Sequence, residues 1–383
     1  MENSQEKLIN LVSGLKRDGA DDFTVQQAFF KLLEMKARKN HTPLHGTFEL
    51  TPLCNLDCKM CYVHLNDTQF PSGNLLPVEI WKELIDEAHA EGMLYASLTG
   101  GECLTYLGFD EIYLHLYSIG IVPSVLSNGL LMNEDRINFF LKYPPNRIQI
   151  TLYGSTDDAY EKVTGKRVFH TVYHNIEALR NANLRISLVL TPSSFMSDDI
   201  RQLQEAAKAL RLPYSINASL IIPKANTGRN LSDLSVDQYI EIYKVMKELK
   251  HETLSPIDPI ELPEESHQGD KRFGLQCGGG TSGFIIQYDG KMAPCPSFYE
   301  LTTEPLKDGF LPAWHHLNQL VSSYPVPAEC SSCAYYDYCI HCAVIHNNAR
   351  KPGHCDPRIC ERTKKLIQEG FFKMSGKVEG SST

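Results

Sequence analysis

Apolar residues change their spacing along this chain near His45. Before that point the chain is polar, with apolar positions such as Leu8, Val12 and Leu15 at the spacing of amphipathic helices. From His45 onward, short apolar runs alternate with amphipathic stretches. The runs GTFELTP (46–52), LYASLTG (94–100), IVPSVLS (121–127), RIQITLY (147–153), RISLVLT (185–191) and YSINASLII (214–222) read as strands. Between them PVEIWKELIDEAHAEG, FDEIYLHLYSIG, EDRINFFLKY, FHTVYHNIEALRNAN and DDIRQLQEAAKALR read as helices. Six apolar strands in alternation with helices predict an α/β fold whose parallel sheet is buried on both faces and curls into a partial (β/α)6 barrel. Functional residues of such a barrel gather at the C-terminal ends of its strands. The unusual residues fall there: Cys54 after the first strand, Gly100-Gly101-Glu102 after the second and Ser127-Asn128-Gly129 after the third.

The alternation then stops. Residues 251–273 are rich in Pro, Glu, Ser and Asp and read as a linker. SGFIIQYDGKMAPC follows, two strand-like runs around Asp289-Gly290, which signals a hairpin. The remainder is cysteine-rich with little apolar periodicity, so metal ligation is the natural candidate for holding it together. The expected organisation is a helical segment over 1–44, the barrel over 45–250, the linker, a cysteine-rich domain over 274–365 and a tail over 366–383.

Composition narrows the function. The chain has 383 residues, 42% hydrophobic and 22% charged, as in an ordinary globular protein. A formal net charge of −9 argues against a general nucleic-acid binder. No apolar run is long enough to span a membrane, and the N-terminus lacks the features of a secretory signal, so a cytoplasmic protein without a membrane partner is expected. In that compartment grouped cysteines are more often metal ligands than disulfides. Of the 12 cysteines, Cys54, Cys58 and Cys61 form one group, Cys103 stands alone, and Cys277, Cys295, Cys330, Cys333, Cys339, Cys342, Cys355 and Cys360 lie in the last third.

Cys54-Asn-Leu-Asp-Cys58-Lys-Met-Cys61 is a C-x3-C-x2-C group. Three thiolates on one loop can hold an iron–sulfur cube and leave one iron open, whereas a structural zinc takes four protein ligands. The motif resembles the radical S-adenosylmethionine (SAM) family, and Met60 fits the large apolar residue common before its third cysteine. The resemblance implies that SAM chelates the open iron and is cleaved by one electron to a 5′-deoxyadenosyl radical. A donor such as flavodoxin or ferredoxin would supply the electron. Gly100, Gly101 and Glu102 resemble the family's second-strand motif, which holds the methionine amino group. Ser127, Asn128 and Thr151 resemble its ribose- and adenosine-side motifs. The family commonly has proline where this chain has Cys103, which leaves a hydrogen-atom donor, a sulfur near the radical or a small buried residue as readings of that thiol.

Cys277, twelve residues, Gly290, four residues and Cys295 form one unit, and Cys330-x2-Cys333-x5-Cys339-x2-Cys342 another. Together they resemble the SPASM domain, an auxiliary-cluster module of radical SAM enzymes that modify peptides and proteins. The resemblance implies two auxiliary [4Fe–4S] clusters, three clusters in all. One would be held by Cys277, Cys295 and Cys342, the other by Cys330, Cys333, Cys339 and either Cys355 or Cys360. The spacing before Cys342 is two residues rather than the family's three. His341, His346 and His354 lie among these cysteines and are expected to be solvated or structural.

Two activities fit the resemblance. One is maturation of a ribosomally made peptide by a thioether, a carbon–carbon link or epimerisation. The other is oxidation of a sulfatase cysteine or serine to formylglycine. Enzymes of the second kind carry an aspartate base after the cysteine matching Cys295, and here that position is Pro296. The segment before the barrel is short for a peptide-recognition domain, so a separate recognition protein or the barrel surface would take the leader. A zinc-stabilised interaction protein without activity is a third reading, opposed by intact Cys54, Cys58, Cys61 and Glu102.

Overall fold

The computed structural model describes residues 22–196, 200–217, 234–252, 275, 277–298, 300–325, 327–339, 342 and 354–372. Leu8, Val12, Leu15, His341, His346, most of the expected linker and the second half of the expected sixth strand lie outside them. Helix α1 (Asp22–Asn40) leads into β1 (His45–Glu49). There follow α2 (Val78–Ala90), β2 (Tyr95–Thr99), α3 (Phe109–Ser118), β3 (Val122–Ser127), α4 (Glu134–Lys142) and β4 (Arg147–Leu152). Two helices, α5 (Asp157–Thr164) and α6 (Phe169–Asn181), separate β4 from β5 (Ile186–Leu190). Then come α7 (Ile200–Ala209), β6 (Tyr214–Ile216) and α8 (Val236–Glu252).

The six strands lie side by side in chain order and every neighbouring pair is parallel. All five expected helices are present. Helix α5 has no counterpart in the expected pattern, although its ends carry ordinary signals. The Thr156 hydroxyl accepts from the Ala159 N–H at 3.1 Å, Asp157 and Asp158 fill the first turn, and Gly165 closes the helix at φ 74°.

The Asp289-Gly290 hairpin forms between β7 (Gly283–Ile286) and β8 (Met292–Ala293), which pair antiparallel. Strand β7 also joins the barrel sheet, parallel to β1 from His45↔Gly283 to Phe48↔Ile286. The cysteine-rich region is therefore continuous with the barrel. Phe284 carries that joint: its ring meets Phe48, Trp314 and Phe310, the last at 5.1 Å between centroids. Helix α9 (Pro305–Asp308) leads into α10 (Phe310–Ser322), which packs behind this edge. The Phe310 N–H donates to Glu87 of α2, and the Trp314 indole donates to the His41 carbonyl at 2.7 Å. Helix α11 (Pro357–Gln368) packs on α8. Among the described residues no helix is long and apolar enough to cross a membrane.

Removing the Phe284 ring empties a well-packed site, which costs about 3–5 kcal/mol. Phe284→Ala is expected to lower the unfolding midpoint sharply in denaturant titration. Leu107→Ala, at a fully exposed side chain, is expected to leave it unchanged.

Candidate radical SAM site

The cysteine loop leaves the end of β1 and is fixed at several points along its length. The Asp57 and Lys59 N–H groups donate to Thr164 and Val163, both at 2.9 Å, and Leu65 N–H donates back to Pro52. Leu56, Cys58 and Met60 are buried against Val163. At the start of the loop the Gly101 N–H donates to the Thr51 carbonyl at 2.7 Å, and the Glu102 N–H to the Leu53 carbonyl at 3.0 Å. A Cβ at Gly100 would stand 2.4 Å from the Thr51 carbonyl oxygen, and one at Gly101 2.3 Å from that of Leu53. Gly100 also has φ +149°, a conformation that L side chains rarely adopt. The two glycines let one strand end lie directly on the backbone that carries Cys54.

Glu102 turns inward and is fully buried. Its carboxylate accepts from the Asn128 N–H at 2.8 Å, the Leu104 N–H at 3.1 Å and the Ser127 hydroxyl at 3.1 Å. Burial raises its pKa against those hydrogen bonds. This carboxylate ties the end of β2 to the end of β3. Asn128 extends the tie to the cysteine loop, donating to Asn55 at 2.7 Å and toward the Cys54 sulfur at 3.7 Å. Cys103 sits in the main core with its thiol toward Glu102 and the Leu126 carbonyl, and burial raises its pKa well above the usual thiol range.

A cavity of about 290 Å³ opens over these strand ends. Cys58, Cys61, Gly100, Gly101, Ser127, Asn128 and Thr151 line it, so most of the residues singled out in the barrel share one space. Glu102, Cys54 and Cys103 stand outside the lining. Gln149, Tyr153, Thr191, Asn217 and Ser297 also line the cavity, and the sequence pattern does not single them out. Tyr153 lies two residues beyond Thr151 on the same strand end, and alternation alone would have flagged it. Burial raises its pKa strongly, with the Cys58, Cys61 and Cys54 thiols adding to the effect. Ser297 comes from the cysteine-rich region, two residues after Cys295, and no local pattern could have placed it here.

The loop suits an iron–sulfur cube by the polar groups aimed at its sulfurs. The Leu56 N–H donates to the Cys54 sulfur at 3.4 Å and the His64 N–H to the Cys61 sulfur at 3.2 Å. Burial pushes the Cys54 thiol up to about 12, a value that a bound cation would reverse. N–H donors around buried sulfurs favour thiolate and tune a cluster's potential. Among the described residues, no three His, Cys, Asp or Glu side chains converge as they would around a single metal ion.

The later cysteines fall into two places. The exposed Cys277, with Cys342, neighbours Cys295, whose thiol burial and those two cysteines push up to about 12. Cys330, Cys333, Cys339, Cys355 and Cys360 line a second cavity of about 30 Å³ together with Glu329, Tyr335, Tyr336 and Thr363. His354 Nδ1 meets Glu329 at 2.9 Å.

The sequence profile of the Radical SAM superfamily matches residues 48–208. Those residues form a radical SAM domain. The chain is 24% identical over 258 residues to the sporulation killing factor maturation protein SkfB of Bacillus subtilis (strain 168), an alignment over 67% of this chain and 61% of SkfB. It is also 24% identical over 317 residues to the AdoMet-dependent heme synthase of Methanosarcina barkeri (strain Fusaro / DSM 804), covering 77% of this chain and 89% of that protein. The crystal structure of Streptococcus suis SuiB bound to S-adenosylmethionine superposes with a TM-score of 0.64 at 16% identity, over 93% of this chain and 88% of SuiB. The fold shared with SuiB thus extends to the cysteine-rich end, and the cofactors of the Radical SAM superfamily are a [4Fe–4S] cluster and SAM.

The clamp between the radical SAM strand end and the cysteine loop has no room for a methyl group at Gly101. Gly101→Ala is expected to displace the loop and lower SAM cleavage about 100-fold, the cost of a misplacement near 1 Å. Gly73→Ala, where nothing lies within 4 Å of the new Cβ, is expected to leave cleavage unchanged. Product chromatography of 5′-deoxyadenosine measures both.

Proposed function

We propose that this protein is a radical SAM/SPASM oxidoreductase that modifies a peptide, installing a thioether, a carbon–carbon crosslink or an epimerised centre. The observation that carries the reading is the shared cavity: the radical SAM strand ends form its floor, and Ser297, beside Cys295, closes it from the cysteine-rich region. A substrate in that space would lie between the SAM site and an auxiliary site. SkfB is named a maturation protein, and SuiB has been crystallised with its precursor peptide SuiA. A heme synthase among the relatives means that the barrel alone does not select the substrate class. The peptide reading rests on the cysteine-rich region read as a SPASM domain, together with the likeness to SkfB and SuiB.

Cys54, Cys58 and Cys61 would hold the radical SAM cluster. When bound, that cluster supplies the electron that cleaves SAM to the 5′-deoxyadenosyl radical, and a flavodoxin or ferredoxin would deliver it. Gly100 and Gly101 fix the loop and, with Ser127, Asn128 and Thr151, line the pocket that receives SAM. Glu102 acts beneath them by orienting Ser127 and Asn128. Cys277, Cys295 and Cys342 would hold one auxiliary cluster, and the five cysteines of the smaller cavity the other. Residues 274–365 are assigned to the SPASM domain and 45–250 to the barrel on the same grounds. The protein works in the cytoplasm.

Formylglycine formation lacks a base beside Cys295. A proline has neither a proton-accepting side chain nor an N–H. Asp289 is engaged with Lys291 at 3.0 Å, and neither it nor Glu300 lines the cavity.

Anaerobically reconstituted protein is expected to carry about twelve irons in three [4Fe–4S] clusters and to release 5′-deoxyadenosine and methionine from SAM on reduction. Replacing Cys54, Cys58 and Cys61 together by Ala is expected to abolish cleavage while about eight irons remain. Retained cleavage, or stoichiometric zinc in place of iron, contradicts the assignment. Mass spectrometry separates the two activities: a mass change on a peptide encoded beside the gene is expected, and none on a sulfatase-derived Cys-x-Pro-x-Arg peptide.

A further inference from the structure

The smaller cavity is lined by one thiol more than a cube needs. A [4Fe–4S] cluster takes four sulfur ligands, and Cys330, Cys333, Cys339, Cys355 and Cys360 all face this space. The first three lie on one segment. The turn Ala328–Ser332 carries Cys330, Cys333 ends it, and Cys339 closes the next turn, Tyr336–Tyr338.

The other two arrive on separate anchors. Cys355 is stapled to the first segment through Glu329: the Cys355 N–H donates to Glu329 Oε2 at 3.3 Å, and His354 Nδ1 meets Oε1 at 2.9 Å. Cys360 sits in the first turns of α11, whose start is set by Asp356. That buried carboxylate caps the Arg358 N–H at 2.9 Å and pairs with the Arg358 guanidinium at 2.7 Å. The helix register is held further along, where Arg362 donates to the Leu234 carbonyl at 2.6 Å and stacks over Tyr239. Thr363, one turn after Cys360, lines the same cavity and hydrogen-bonds the Cys339 thiol. The two anchors meet at Asp356, whose carbonyl accepts from the Cys360 N–H at 3.2 Å and from the Cys355 thiol at 3.7 Å, and both thiols line the same space.

We propose that Cys355 and Cys360 are interchangeable fourth ligands of this auxiliary cluster. This rests on the reading that the cavity holds one. In the exchange, the sulfur–iron bond of one cysteine breaks as that of the other forms. The proton of the incoming thiol passes to the departing thiolate, with no change in oxidation state. The backbone need not move, because Glu329 holds the Cys355 N–H and the capped helix carries Cys360. A cluster built this way survives the loss or oxidation of either thiol.

The test is iron and sulfide content, with the electron paramagnetic resonance spectrum of the reduced clusters, in the anaerobic full-length protein. Wild type, Cys355→Ala and Cys360→Ala are each expected to hold about twelve irons, and the double variant about eight. Cys330→Ala, which removes an unshared ligand, is expected to match the double variant, and circular dichroism of all four variants reports folding. A loss of about four irons in either single variant overturns the proposal, because one cysteine is then the fixed ligand. Twelve irons in the double variant with a spectrum unchanged from wild type also overturn it, since neither thiol then ligates. Wild type with about eight irons would instead remove the auxiliary-cluster reading beneath it, and the proposal with it.

Discussion

The contact of Gly100 and Gly101 with the backbone of Thr51–Leu53 sets the geometry of everything above the barrel. It joins the end of β2 to the base of the cysteine loop at a separation where no side chain fits. Two hydrogen bonds, at 2.7 and 3.0 Å, complete the joint. Because the loop is short, fixing Thr51 and Leu53 fixes the Cys54 backbone. Glu102 then passes the constraint sideways through Ser127 and Asn128, and Asn128 returns it to Asn55 and Cys54. Strand ends, buried carboxylate and thiol loop form one connected unit, with the cavity above it.

In this arrangement the glycines and the glutamate also tie the protein's own strand ends and cysteine loop together. The glycines line the cavity, yet their tight approach is to the protein's own backbone. The glutamate lies below the cavity, and its charged form is disfavoured by burial and supported by four donors. Such a carboxylate acts as a positioning group: the residues it orients, Ser127 and Asn128, present the polar edge that faces the cavity.

Much of the barrel was legible in the sequence because its signals are local. Apolar runs separated by amphipathic stretches mark four strands, β2 to β5, within two residues of their observed ends. The cysteine spacing marks the loop, and Asp289-Gly290 marks its hairpin. What local pattern could not carry is sheet membership. Strand β7 pairs with β1, more than two hundred residues earlier, and only packing of Phe284 against Phe48 and Trp314 explains that choice. The same holds for Ser297, and for the meeting of Cys355 with Cys330 through Glu329. Tyr153 is a different omission, since strand alternation from Thr151 points to it. Cys103, chemically conspicuous in a motif, proves in the structure to be packed in the core.

The central claim is that the Cys54–Cys58–Cys61 loop presents a cluster to SAM within the barrel cavity. The most direct measurement is the electron paramagnetic resonance spectrum of the reduced protein with and without SAM. The account predicts that SAM changes the signal of one cluster, and that no such change occurs once Cys54, Cys58 and Cys61 are replaced by Ala. A spectrum indifferent to SAM in the intact protein would contradict it.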